Sequence, residues 1–156
     1  MASFAIGTVV ATTAQDVSPA LLGVKPPFVA AAVLFAASRL HLPVALAVAV
    51  AAGLFLDALA GLPAFCATSL LPLLVLGSYF TRGCLPDISN VTTGAGATVV
   101  ASAIGEVWLS ICGFSAAGTG LFVRVCAATV VAVPVGVAVF ALLPLAGRCI
   151  GLEDPG

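Results

Sequence analysis

The sequence predicts an all-α integral membrane protein, a compact bundle of about six transmembrane helices in one domain, and three observations predict it. Of the 156 residues, 62% are hydrophobic and only 7% charged, against about 45 to 50% and about 25% in an ordinary soluble domain. A chain of this size then has too little polar surface to cover itself in water. The apolar residues fall into runs separated by short stretches rich in Pro, Gly and charge, the pattern of helices joined by turns. Acids inside those runs are reduced to Asp57 and Glu106, each of which costs about 2.5 to 3.5 kcal/mol on insertion scales and therefore needs a partner or a purpose.

The first predicted helix, residues 2–15, carries no Lys or Arg before its apolar run, so it is read as a retained helix rather than a secretory signal. At roughly 21 Å of rise it is short for a bilayer. Gln15 and Asp16 end it, and a loop through Lys25, Pro26 and Pro27 leads into the second helix, 27–39, which stops at Arg39 and His41. His41 reads as an interfacial turn residue. Pro43 opens the third helix, 43–61, and Leu62 and Pro63 separate it from the fourth, 64–80, which contains Pro72. So short a turn makes these two antiparallel neighbours.

A polar loop with Arg82, Pro86 and Asp87 precedes the fifth helix, 91–112, and a Gly- and Ser-containing turn precedes the sixth, 121–146, with Arg124 near its start. Counting Lys and Arg in the short loops puts Arg39, Arg82 and Arg148 on one side and Lys25 on the other. The positive-inside rule then predicts both termini in the cytoplasm.

Residues four apart lie along one helical ridge. In the third helix that ridge reads Ala45, Ala49, Gly53, Asp57, Gly61, a row of small side chains, suited to close helix packing in lipid, that carries one carboxyl. In the fifth helix Thr98, Ser102, Glu106 and Ser110 form a polar stripe, and Ala97, Ala101 and Gly105 a second small-residue row. The predicted topology places Asp57, Glu106 and Arg124 at a similar depth, roughly 6 to 10 Å inside the outer interface. We expect them to form a buried polar cluster that offsets three separate insertion penalties. The alternatives are an Asp57 hydrated near the interface and an Arg124 that snorkels to phosphate headgroups.

Other chemistries find no footing. Five Lys and Arg and a net charge of −1 exclude a nucleic-acid footprint. The five Cys include no CxxC pair and there is one His, so no metal or cofactor is expected. Cys66, Cys112 and Cys126 lie in apolar runs and read as small hydrophobes. No GxSxG, HExxH or Walker loop occurs, and the expectation is that the protein is not an enzyme.

Gln15, the segment LGVKP ending at Pro26, and GLFLDALAGLP from Gly53 to Pro63 together resemble the rod shape-determining MreD family, whose pattern has a Gln ending helix one, a GVRPD-like start to helix two and a GLxxDxxSGxPxG core. Glu106 and Arg124 are similar to further polar positions of that family. Phe28 stands where an Asp usually follows the Pro, Ala60 replaces the common Ser, and Phe65 stands where the second Gly of the core is expected, so the resemblance is to a divergent member. It implies an S-component-like six-helix membrane fold and a non-enzymatic inner-membrane subunit of the cell-elongation machinery. Such a subunit supports cell shape and lateral peptidoglycan synthesis beside an MreC-like membrane protein, MreB, RodA and a class B penicillin-binding protein. The alternative is a substrate-binding S component of a small-molecule transporter, with Asp57, Glu106 and Arg124 as its ligand site.

Overall fold

The computed structural model of the chain describes residues 10, 11, 13, 14, 26–60, 65–81, 90–112 and 119–149. These residues contain five α-helices and no strand: α1 Phe28–Arg39, α2 Leu42–Ala60, α3 Cys66–Thr81, α4 Val91–Ile111 and α5 Thr119–Cys149. Of the predicted helix 2–15, Val10, Ala11, Thr13 and Ala14 are helical and the rest lies outside the described residues, as do Gln15, Gly61 and Pro63.

By length and composition α2, α4 and α5 can each cross a membrane, whereas α1 and α3 are apolar but shorter. Among the described residues the fold is therefore all-helical, with three helices of membrane-spanning length. Apart from shifts of one residue, the start of α3 and both ends of α5 differ from the sequence reading; α5 begins at Thr119 rather than at 121. Phe65 has φ 73°, a left-handed conformation that cannot belong to a right-handed helix, so α3 begins at Cys66 rather than at 64. At the other end of the chain α5 runs on to Cys149 rather than stopping at 146, because falling hydropathy alone does not end a helix.

The least expected feature is α1. With 12 residues it is the shortest of the five helices, yet Val29 and every residue from Ala31 to Ala37 are buried. A helix that is apolar on all sides belongs in a core, and α1 packs against each of the other four. One face joins α2 and α3 through Val29, Val33, Ala45, Ala49, Leu71 and Val75. The other meets α4 and α5 through Leu34, Phe35, Ala101 and Phe140, where the Phe35 and Phe140 rings stand edge to face with centroids 5.5 Å apart, a favoured aromatic geometry.

The most extensive helix contacts are α4 with α5 and α2 with α3, so the chain forms two helical pairs around α1. Small residues set how closely each pair approaches. A Cβ on Gly136 of α5 would lie 2.8 Å from the Ala95 Cα of α4, and one on Gly94 would enter the Phe140 ring. The Thr98 hydroxyl in this crossing donates to the Gly94 carbonyl at 2.9 Å, which satisfies a fully buried polar group within its own helix. Outward, Leu54, Phe55, Val100, Phe122, Val130 and Leu142 are exposed, an apolar exterior that suits lipid.

Candidate functional site

The row Ala45, Ala49, Gly53 and Asp57 faces inward on α2, and all four residues are buried. Gly53 is required there: a Cβ would lie 2.5 Å from the Cα of Thr68 and 2.9 Å from the Ala67 carbonyl oxygen. Its absence lets the first turn of α3 sit directly on the α2 backbone. One turn further along the same ridge, the Asp57 carboxylate meets that turn. Its Oδ1 accepts from the Ala67 N–H at 2.7 Å, and its Oδ2 accepts from the Thr68 N–H at 3.1 Å and the Thr68 hydroxyl at 2.7 Å.

These backbone groups belong to the second and third residues of α3, which have no partner inside the helix. A helix usually satisfies them with an oxygen of its own N-cap residue. Phe65 precedes α3 and has no side-chain oxygen to offer. Asp57 supplies the cap from the neighbouring helix, and its negative charge sits at the positive end of the α3 dipole. Phe65 still contributes its carbonyl, which accepts from the Ser69 N–H at 3.2 Å and the Ser69 hydroxyl at 2.6 Å.

Glu106 and Arg124 meet on the α4–α5 pair. Arg124 Nε lies 3.4 Å from Glu106 Oε2; the Glu106 side chain is 9% exposed and that of Arg124 39%. Neither of these two buried atoms has a hydrogen-bond partner, so at this distance and orientation the contact is an ion pair without an aligned hydrogen bond. The guanidinium side chain is partly open at the bundle surface, whereas the carboxylate is nearly enclosed. Pairing opposes the penalty of burying Glu106.

The same end of the bundle is held by a third device. The Trp108 indole N–H donates to the Cys66 carbonyl oxygen at 3.2 Å, which ties α4 to the start of α3. Asp57, Glu106 and Arg124 are therefore gathered at one end of the molecule. The hydrogen bonds of Asp57, however, go to Ala67 and Thr68, while the Arg124 ion pair goes to Glu106. The expected cluster is resolved into two neighbouring polar devices with different tasks.

On α4, Thr98, Ser102 and Glu106 are buried and Ser110 is half-buried. In the small-residue row Ala101 is buried and Ala97 and Gly105 are partly exposed; a Cβ on Gly105 would only touch Leu70 at 3.8 Å. Close packing on this helix falls instead at Gly94. Pro26 is buried just before α1. Sequence reasoning missed Trp108 as a tie to Cys66 and Gly136 as a crossing point. A glycine within a long apolar helix was the available signal for the second.

At the opposite end Tyr79 donates its hydroxyl to the Leu40 carbonyl, and the Arg39 guanidinium lies 5.9 Å from the centre of the Phe35 ring. Among the described residues no group of three or more His, Cys, Asp or Glu side chains could hold a metal ion. No family model matches the chain, and no curated protein or solved structure is significantly similar to it.

Proposed function

We propose that the protein is a non-enzymatic scaffold subunit of a bacterial cell-elongation complex, similar to MreD, with six membrane spans in the inner membrane and both termini in the cytoplasm. It supports cell shape and lateral peptidoglycan synthesis by binding an MreC-like membrane protein and, through it or beside it, MreB, RodA and a class B penicillin-binding protein. The observation that carries this reading is the use made of GLFLDALAGLP, the segment in which the resemblance is densest. Its Gly53 and Asp57 build a helix–helix joint against Thr68. Such a joint shapes a bundle rather than transforming a substrate. A second point agrees: Phe65, which stands where the family's core pattern has Gly, has φ 73°, a conformation natural to glycine.

An apolar exterior with few charges supports partner contact within the membrane. The test is affinity purification of the full chain from native membranes in mild detergent, with Asp57→Asn and Asp57→Ala in parallel and size-exclusion profiles to verify folding. Recovery of an MreC-like protein and wall-synthesis enzymes with the wild type is the expected result. Recovery of ATP-binding subunits or a tightly held small metabolite would overturn it in favour of a transporter subunit.

A further inference from the structure

The fold brings two distant cysteines together. Trp108 donates to the Cys66 carbonyl at 3.2 Å and Cys112 lies one turn beyond Trp108 on the same ridge, so both cysteines stand at the contact between the start of α3 and the end of α4. Neither is in a disulfide; Cys66 is buried, Cys112 half-buried, and Cys126 exposed on α5. Cys66 is the first residue of α3 and Cys112 directly follows the last residue of α4. Packing between α3 and α4 is slight compared with that inside either helical pair, so this is where a covalent bond would add most to what side-chain contact already supplies.

We propose that Cys66 and Cys112 are a redox-active pair that closes to a disulfide, fastening the α2–α3 pair to the α4–α5 pair. The oxidant is an external disulfide, either that of a small thiol such as oxidised glutathione or that of a thiol–disulfide oxidoreductase. The Cys112 thiolate, the more accessible of the two, attacks one sulfur of that disulfide, forms a mixed disulfide and releases one thiol. The Cys66 thiolate then attacks the Cys112 sulfur and displaces the second thiol. The two protein thiols lose two electrons and two protons in all, and the external disulfide becomes two thiols.

Cys66 is the resolving partner for two reasons: it is buried, and the positive end of α3 that would favour its thiolate already holds the Asp57 carboxylate. In the orientation proposed above the pair lies at the outer end of the bundle, on the side where disulfides persist. Only that assignment of compartment rests on the scaffold reading; the chemistry of the pair does not.

The test uses the purified full chain in detergent with Cys84, Cys126 and Cys149 replaced by Ser. It is incubated with oxidised glutathione at mildly alkaline pH, quenched with a maleimide under denaturing conditions and analysed by intact mass and peptide mapping. We expect loss of both titratable thiols, a mass lower by two hydrogens, and a peptide pair joined through Cys66 and Cys112. Adding Cys66→Ser should stop the reaction at a glutathione adduct on Cys112. A chain that instead keeps both thiols, or accumulates a stable glutathione adduct while Cys66 is present, would overturn the proposal. So would equal linking of Cys112 to Cys126 in a chain that retains only those two.

Discussion

Thr68 gives Asp57 two hydrogen bonds, one from its backbone N–H and one from its hydroxyl, across the joint between α2 and α3. With the Ala67 N–H, three donors converge on one buried carboxylate. That arrangement explains how an acid tolerates an apolar helix: the charge leaves water but gains charge-assisted bonds and a helix N-terminus. Removing it leaves the buried Ala67 N–H and the half-buried Thr68 N–H without an acceptor. Asp57→Ala should therefore destabilise the protein by about 2 to 4 kcal/mol, and Asp57→Asn by clearly less, in equilibrium unfolding in mixed micelles. Equal losses for the two variants would show that hydrogen-bond acceptance is not what the residue supplies.

Glycines that look alike in the sequence should respond oppositely to alanine. At Gly53 the new Cβ meets α3 backbone at 2.5 Å, whereas at Gly96 nothing lies within 4 Å. We expect Gly53→Ala to cost about 1 to 3 kcal/mol through forced separation of the helices. Gly96→Ala should stabilise by up to about 1 kcal/mol through helix propensity alone. Thermal midpoints of the two variants in one detergent check the contrast.

Phe65 is 68% exposed and has φ 73°, so its side chain gains little from packing while its backbone is strained. Phe65→Gly should stabilise the fold by about 1 kcal/mol. A loss of stability would mean that the ring makes a contact worth more than the strain, and would turn attention to what covers it.

The two polar devices are separable by double-mutant cycles. Arg124→Leu and Glu106→Gln should couple by about 0.5 to 2 kcal/mol, the range for residues in contact, moderated by the partial exposure of the Arg124 side chain. Arg124→Leu and Asp57→Asn should be additive to within about 0.5 kcal/mol. Coupling of Arg124 to Asp57 as strong as to Glu106 would restore a three-member cluster.

Much of this arrangement was legible in the sequence, and what was not is instructive. The inward face of α2 followed from the spacing of Ala45, Ala49, Gly53 and Asp57, because a ridge of small residues has few other uses in an apolar helix. The shared end of Asp57, Glu106 and Arg124 followed from counting spans. The partner of Arg124 did not, since depth is set by position along the chain whereas pairing depends on how each helix is rotated about its axis. Nor did the central position of α1. Its Ala-rich run is as apolar as a lipid-facing helix, and burial inside protein and burial in lipid leave the same composition. The role of Asp57 as a cap for the next helix was hidden for a related reason: the donors it satisfies are backbone groups, which have no letter in the sequence.

Tyr79 and Asp57 act at opposite ends of the same helical pair. The phenol holds the carbonyl of Leu40, two residues before α2 begins, and the carboxylate holds the first turn of α3. The pair is pinned top and bottom, like a strut with two bolts. Its two helices cannot slide past each other without breaking both fastenings at once. A relative shift of the two helices along their axes is therefore resisted at both ends together rather than at one.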